Sequence, residues 1–160
     1  VQELGLEDAC FARIHTFGKA CGCHGAVVLG SERLRQYLVN FSRPFIYSTA
    51  LPPAAVAAIA ASYDIFPRMD QARQHLANLI ELFRNKPIRH TLLNSNTPIQ
   101  IVIIPGNETV KEVALQLQQN NLDIRPILYP TVPRGKERLR IVFHSFNTLD
   151  EMNLLAGLLS

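Results

Sequence analysis

Long apolar runs are missing from this sequence. No stretch reaches the roughly 18 consecutive apolar residues that a membrane-spanning helix needs, so no such helix is predicted. Residues 1–4 lack the basic segment followed by an apolar segment that marks a secretory signal. An initiator Met is also absent, and we expect the chain to begin partway through a longer protein.

Cysteine is scarce, and charge of one sign is not concentrated anywhere. The three cysteines are an odd number, and Cys21 and Cys23 lie too close in sequence to pair easily, so reduced thiols in a cytoplasmic protein are predicted. The net charge is +3, but the basic residues are scattered, which argues against a nucleic-acid groove. With 48% hydrophobic and 18% charged residues, the composition predicts a folded core rather than disorder.

Local patterns predict strands and then helices in the first half of the chain. Two short apolar strands, 10–15 and 26–29, flank a glycine-rich loop. Ser31 is the predicted N-cap of a helix that runs to about residue 40. The predicted elements that follow are an extended segment 45–49, a buried Ala-rich helix 54–63, a break at Pro67 and an amphipathic helix 68–84.

The second half is predicted to form a compact and regular unit after a polar linker, 85–98. Its predicted elements are a buried strand 99–104, a helix capped by Asn107, strands 123–128 and 138–144, and a last helix opened by a capping box at Thr148 and Glu151. This order predicts a small α+β domain in which helices cover one face of the sheet.

The first candidate for chemistry is Thr16-Phe17-Gly18-Lys19, a turn between the two predicted strands. A lysine that follows a glycine turn, with a hydroxyl three residues earlier, is typical of the lysine that binds pyridoxal 5'-phosphate (PLP) covalently. Such an amine must be desolvated enough to be neutral part of the time. From the spacing alone, a solvated loop lysine remains the alternative, because motifs this short are common by chance.

A metal site is not predicted. Cys21, Cys23 and His24 cluster in sequence, but a closed zinc site needs four ligands and usually a gap of two residues between cysteines.

Three segments of the chain resemble, in the same order, segments of the α-oxoamine synthases, a family of PLP enzymes. They are residues 15–26 around Lys19, residues 47–53 (Tyr-Ser-Thr-Ala-Leu-Pro-Pro) and residues 130–140, which end in Arg-Leu-Arg. The resemblance covers essentially the whole chain and implies an α/β PLP-dependent transferase of fold type I. Residues 1–86 would then be the C-terminal part of the large PLP-binding domain, and residues 87–160 would be the small C-terminal α+β domain.

The resemblance also implies which residues bind the cofactor. Lys19 would hold PLP and take a proton from the amino-acid substrate, and Thr16 would hydrogen-bond the cofactor. Ser48 and Thr49 would reach the phosphate of PLP across the interface of a homodimer.

The substrate carboxylate would be bound by Arg140, since a planar guanidinium suits a carboxylate. Strand alternation predicts Arg140 on the face opposite Leu139 and Ile141, where an outward surface arginine is also expected. Arg138 shares that face, and the resemblance favours Arg140 as the second arginine of the triplet.

The implied reaction condenses L-alanine with a pimeloyl thioester of CoA or acyl-carrier protein, with loss of CO2, on the route to biotin. A sister synthase that uses glycine or serine, and a non-catalytic fragment that binds no cofactor, are the alternatives. The family segments that contact the PLP ring and its nitrogen come before the lysine segment and are not found in this chain. We therefore expect the chain to be roughly the last two-fifths of such an enzyme, and to be inactive alone.

Overall fold

Packing divides the chain into two units, Val1–Arg68 and Met69–Ser160, in a computed structural model that describes residues 1–160 except for the side chain of Glu3. The domain boundary predicted after residue 86 concerns the domains of a longer protein and stays a prediction. Packing places the helix of residues 70–84 in the second unit, because its side chains Leu79, Ile80 and Phe83 join the core of that unit.

The first unit consists of a β-hairpin followed by helices. Its elements are a 3-10 turn (Gln2–Leu4), strands β1 (Ala12–Thr16) and β2 (Ala26–Gly30), helices α1 (Glu32–Phe41), α2 (Arg43–Ile46) and α3 (Pro53–Ile65), and a 3-10 turn (Phe66–Arg68). β1 and β2 pair antiparallel, with Thr16 opposite Ala26. The predicted strands and the break at Pro67 are confirmed. The predicted cap is confirmed too, since the Ser31 side chain accepts a hydrogen bond from the Leu34 N–H.

Two predictions for the first unit are wrong. The segment predicted as extended, 45–49, begins inside α2, because Pro44 lies in the first turn of that helix, where its fixed φ and missing N–H are tolerated. Helix α3 forms as its alanine content predicts, yet none of its residues is buried. Alanine content favours a helix, but burial of a helix also needs a second apolar surface to pack against. The described residues of this unit provide little such surface, since Phe17 is the only buried one among them.

A four-stranded antiparallel sheet and three helices form the second unit. Its elements are α4 (Asp70–Arg84), β3 (Thr91–Leu92), β4 (Ile99–Ile103), α5 (Asn107–Gln119), β5 (Pro126–Ile127), β6 (Arg138–Val142) and α6 (Leu149–Leu158). The strand order is β3-β4-β6-β5, with Ile101 of β4 opposite Arg140 of β6. Strands 99–104 and 138–144 are confirmed, whereas the predicted strand 123–128 is only two residues long and begins at Pro126, which has no N–H to donate.

One face of this sheet is buried against the three helices. Leu139 and Ile141 of β6 are 0% and 3% exposed, whereas Arg140 between them is exposed, so the predicted alternation is confirmed. The same core contains Val102 of β4 and the buried residues of the three helices, which are Leu79, Ile80, Phe83, Val110, Ala114, Leu117, Met152, Leu155 and Ala156. The predicted α+β domain with a helix-covered sheet is therefore confirmed.

The starts of the last two helices are held in different ways. At α6, the Glu151 N–H donates to Thr148 Oγ1 and the Thr148 N–H donates to the Glu151 carboxylate, so the predicted capping box is confirmed. The bond from the Thr148 N–H holds the pKa of Glu151 below its usual value. At α5, the predicted Asn107 cap is wrong: Gly106 is the N-cap, and the Asn107 side chain bonds instead to the backbone of Tyr129.

Replacing Leu139 with Ala should lower the free energy of unfolding by about 2–5 kcal/mol, because a fully buried side chain is lost and a cavity remains. Urea denaturation measures this loss. Val142→Ala is the matched control, since Val142 lies on the same strand but is 41% exposed on the other face, and it should cost much less. Equal losses in the two variants would contradict this assignment of the two faces.

Candidate functional site

The loop that joins β1 to β2, residues 17–25, carries the candidate lysine and is here called the lysine loop. Its two ends are closed by a hydrogen bond from the Phe17 N–H to the Gly25 carbonyl at 2.9 Å. Within it, the Cys23 N–H donates to the Phe17 carbonyl and the Gly22 N–H donates to the Lys19 carbonyl, both at 2.9 Å. The loop therefore has a defined backbone path, with Lys19 at the start of its tightest turn.

A glycine is required where the loop rejoins β2. Gly25 has φ +113°, a backbone conformation that side-chain-bearing residues rarely adopt. A Cβ at this position would also lie 2.9 Å from Cδ1 of Leu51. Leu51, which lies within the second family segment (47–53), thus packs closely on the end of the lysine loop.

Phe17 anchors the lysine loop. Phe17 is 8% exposed, and its ring forms a T-shaped pair with the Tyr63 ring of α3 at a centroid distance of 6.3 Å. Such edge-to-face pairs add about 0.5–1.5 kcal/mol to the burial of the rings. The sequence motif contained Phe17, but no local pattern indicated its contact with Tyr63, which lies far along the chain.

Lys19 and Thr16 are brought together as the motif predicts. The Lys19 Nζ donates a hydrogen bond to Thr16 Oγ1 at 3.0 Å, and both residues are exposed. The desolvation that the chemistry requires of this amine is therefore not provided by the described residues of this chain. The amine lies at an open end of the hairpin, beside a hydroxyl, where a bound molecule could reach both groups.

Ser48 and Thr49 follow α2 and are both exposed. The Ser48 hydroxyl donates to the backbone carbonyl of Pro44. Among the residues described, no hydrogen bond joins Ser48 or Thr49 to Thr16 or Lys19. The structure thus brings together two of the four predicted cofactor ligands.

Arg140 lies on the open face of the second sheet, at the centre of β6. It borders a cavity of about 480 Å³ that is also lined by Ile124, His144 and Phe146. Within the described part of the chain, the Arg140 side chain makes no hydrogen bond or ion pair. Arg138, its rival, is half-buried and its Nε donates to the Lys136 carbonyl at 2.8 Å.

The described residues offer neither a metal site nor a membrane-spanning helix. They contain no group of three His, Cys, Asp or Glu side chains that could hold a metal ion, and all three cysteines are free. None of their helices combines the length and the apolar character that crossing a membrane would require.

Replacing Phe17 with Ala should loosen the lysine loop, because the buried ring that fastens it to Tyr63 is lost. We expect the backbone amides of residues 18–24 to exchange with solvent about tenfold faster or more, measured by hydrogen exchange. Phe11→Ala is the matched control, since Phe11 lies just before β1 in the same hairpin and is 80% exposed. Unchanged exchange in Phe17→Ala would contradict the anchoring role.

Comparison with known proteins places this chain in a family. The model of the family described as "Aminotransferase class I and II" matches residues 5–154. A curated 8-amino-7-oxononanoate synthase from Emericella nidulans is 38% identical over 164 residues, which cover 96% of this chain and 39% of that protein. Another from Xanthomonas campestris is 42% identical over 142 residues, covering 88% of this chain and 35% of the relative. The chain thus spans about two-fifths of the length of the curated relatives it matches.

Solved structures give the same result for the fold. The crystal structure of 8-amino-7-oxononanoate synthase from Francisella tularensis matches with a TM-score of 0.79 at 26% identity, over 94% of this chain and 44% of that one. Serine palmitoyltransferase from Sphingomonas wittichii matches with a TM-score of 0.86 over 99% of this chain and 41% of that one; at 21% identity, this likeness shows the fold alone. The predicted fold, that of the fold type I PLP-dependent transferases, is confirmed, and the chain belongs to the aminotransferase class I and II family.

Proposed function

We propose that the protein containing this chain is an 8-amino-7-oxononanoate synthase. It would condense L-alanine with a pimeloyl thioester of CoA or acyl-carrier protein, releasing CO2, in biotin biosynthesis. The observation that carries the proposal is the exposed amine of Lys19, 3.0 Å from the hydroxyl of Thr16. This pair lies in the segment that resembles the cofactor-lysine segment of the family. Relatives of this name at 37–42% identity support it further.

The residues of the lysine loop fit PLP as a cofactor. A primary amine and a hydroxyl lie side by side at an open hairpin end, and Gly18 and Gly22 of the loop leave room for a ring to approach. When bound, PLP supplies an electron sink for the carbon next to the amino group of the substrate. Lys19 would hold the cofactor and accept the α-proton of L-alanine at its Nζ, and Thr16 would hydrogen-bond the cofactor.

Ser48 and Thr49 would bind the phosphate of PLP, in a homodimer that is part of the proposal. Both hydroxyls are exposed, so a phosphate could reach them. The two residues differ in one respect: the Ser48 hydroxyl must release the Pro44 carbonyl before it can donate to a phosphate.

Arg140 would bind the carboxylate of L-alanine. Its guanidinium has no partner among the described residues, and its five N–H donors form a fork that matches a carboxylate. Arg138 is less suited, because its Nε already donates to the Lys136 carbonyl. Arg140 is preferred because it is exposed and none of its five donors is engaged among the described residues, whereas Arg138 is half-buried and only its two Nη groups remain available.

Further proposals concern the protein as a whole. Residues 1–86 would belong to its large PLP-binding domain and residues 87–160 to its small C-terminal domain, and the protein would act in the cytoplasm. We expect the isolated 160-residue chain to show no turnover.

Two alternatives predict different results. A sister synthase of the 2-amino-3-oxobutyrate CoA ligase or serine palmitoyltransferase type would use glycine or serine instead of L-alanine. A non-catalytic chain would bind no cofactor. Assaying the protein encoded by the complete gene with L-alanine, glycine and serine separates them, since only condensation of L-alanine with the pimeloyl thioester gives the biotin precursor.

Adding PLP to this protein should produce a visible absorbance band, because a covalent link between Lys19 and the cofactor absorbs in the visible range. Lys19→Ala should abolish the band. Lys111→Ala is the matched control, since Lys111 forms only an exposed ion pair with Glu108 and should leave the band unchanged. A band of equal intensity in Lys19→Ala would contradict the assigned role.

Replacing Arg140 with Lys should raise the KM for L-alanine by about 10- to 100-fold, because the positive charge remains but the two parallel hydrogen bonds are lost. Steady-state kinetics with varied L-alanine measures the change. Arg125→Lys is the control, because Arg125 pairs with Asp123 in an exposed ion pair at 2.6 Å. An unchanged KM in Arg140→Lys would show that another group binds the carboxylate.

A further inference from the structure

The segment from Tyr129 to Glu137, which leads into β6, is fastened at both ends to the same turn. That turn is Gly106 and Asn107, at the beginning of α5. One end is bonded by the side chain of Asn107 and the other by the side chain of Glu137. The contact of Asn107 with Tyr129 spans 22 positions in sequence, and that of Gly106 with Glu137 spans 31. Neither contact is therefore part of a local turn.

At the first end, Asn107 forms two hydrogen bonds with one residue. The Tyr129 N–H donates to Asn107 Oδ1 at 3.0 Å, and Asn107 Nδ2 donates to the Tyr129 carbonyl at 3.2 Å. A side-chain amide can both donate and accept in this way, whereas an ionised aspartate can only accept. The guanidinium of Arg134 lies over the Tyr129 ring, 4.8 Å from its centroid, and adds a contact within the segment.

At the second end, Glu137 turns its carboxylate inward. The residue is 4% exposed, and its Oε2 accepts a hydrogen bond from the Gly106 N–H at 2.9 Å. This bond, the backbone N–H groups of Glu137 and Gly135, and the positive charge of Arg134 hold the pKa of Glu137 below its usual value. A buried carboxylate is costly unless such donors surround it, so its position is strongly specified.

The second end is continuous with β6. The Ile104 N–H donates to the Glu137 carbonyl at 2.9 Å, which extends the pairing of β4 with β6 by one residue. Arg140 follows three residues later on the open face. Because a slip of one residue would turn every side chain of β6 to the other face, whatever fixes the start of β6 also fixes the face and the backbone position from which Arg140 projects.

We propose that Asn107 and Glu137 are positioning residues, which clamp both ends of the segment 129–137 onto the first turn of α5 and thereby hold Arg140 in place to bind a substrate carboxylate. The role of Arg140 rests on the proposed function, whereas the clamp itself does not. Neither Asn107 nor Glu137 touches the substrate in this proposal.

The test uses three variants and a matched control in the whole chain. Glu137→Gln keeps the size of the side chain but presents an amide to donors, and Asn107→Ala removes both bonds to Tyr129. Asn107→Asp keeps the acceptor and loses the donor, so it should give an intermediate effect and serves if Asn107→Ala fails to fold. Glu108→Gln changes a carboxylate in the same turn that is exposed and pairs only with Lys111.

Two measurements report on position rather than on stability. Hydrogen exchange of residues 130–136 should become about tenfold faster or more in Glu137→Gln and Asn107→Ala, while the amides of Met152 and Leu155 in α6 stay protected. In the nuclear magnetic resonance spectrum, the Arg140 backbone and Nε signals should shift in these variants. Neither change should occur in Glu108→Gln. Wild-type exchange and unshifted Arg140 signals in Glu137→Gln would overturn the proposal.

Steady-state kinetics of the protein encoded by the complete gene provide a second test of the proposal. Glu137→Gln should raise the KM for the amino acid several-fold and leave kcat nearly unchanged, because the carboxylate contact is weakened while the Lys19 chemistry is intact. A loss of overall stability with an unshifted Arg140 and an unchanged KM would show a merely structural role and overturn the proposal. Failure of the wild-type protein to condense any amino acid would count against the proposed function alone. Hydrogen exchange and the Arg140 resonance signals would still test whether Asn107 and Glu137 hold the segment 129–137 in place.

Discussion

The pairing of β4 with β6 is the interaction on which the second unit depends. Its register sets Val102 opposite Leu139 and Gln100 opposite Ile141, and all four side chains face the helices and are buried. The same register leaves Arg140 opposite Ile101 on the open face. A single constraint thus closes the hydrophobic core and presents the candidate carboxylate ligand, because successive residues of a strand point to opposite faces.

Elements whose cause is local could be predicted from the sequence. The alternation in 138–144 and the capping box of Thr148 and Glu151 depend on residues within one strand or one turn. The wrong predictions share a different origin. Asn107 is a good cap by residue type, but its side chain is engaged by Tyr129, 22 residues away. The burial of α3 likewise depends on a packing surface that no local pattern describes.

The candidate site shows the same division. The bond between Lys19 and Thr16 follows from a spacing of three residues, so the motif was sufficient to predict it. The contact of Phe17 with Tyr63 and the bond from Gly106 to Glu137 are long-range, and a sequence gives no pattern for them. The only signal in the sequence for Glu137 is that it is the single acidic residue among the basic residues of 134–140.

In each unit the exposed reactive group is held by a buried neighbour close to it in sequence. Lys19 is exposed, and Phe17, two residues before it, is buried; Arg140 is exposed, and Glu137, three residues before it, is buried. A group that must contact a ligand cannot itself be packed on all sides, so its position has to be fixed through the backbone by a residue that is. Changing the buried neighbour should therefore weaken ligand binding without removing any atom that touches the ligand. This consequence separates a positioned reactive group from an ordinary surface residue with the same exposure.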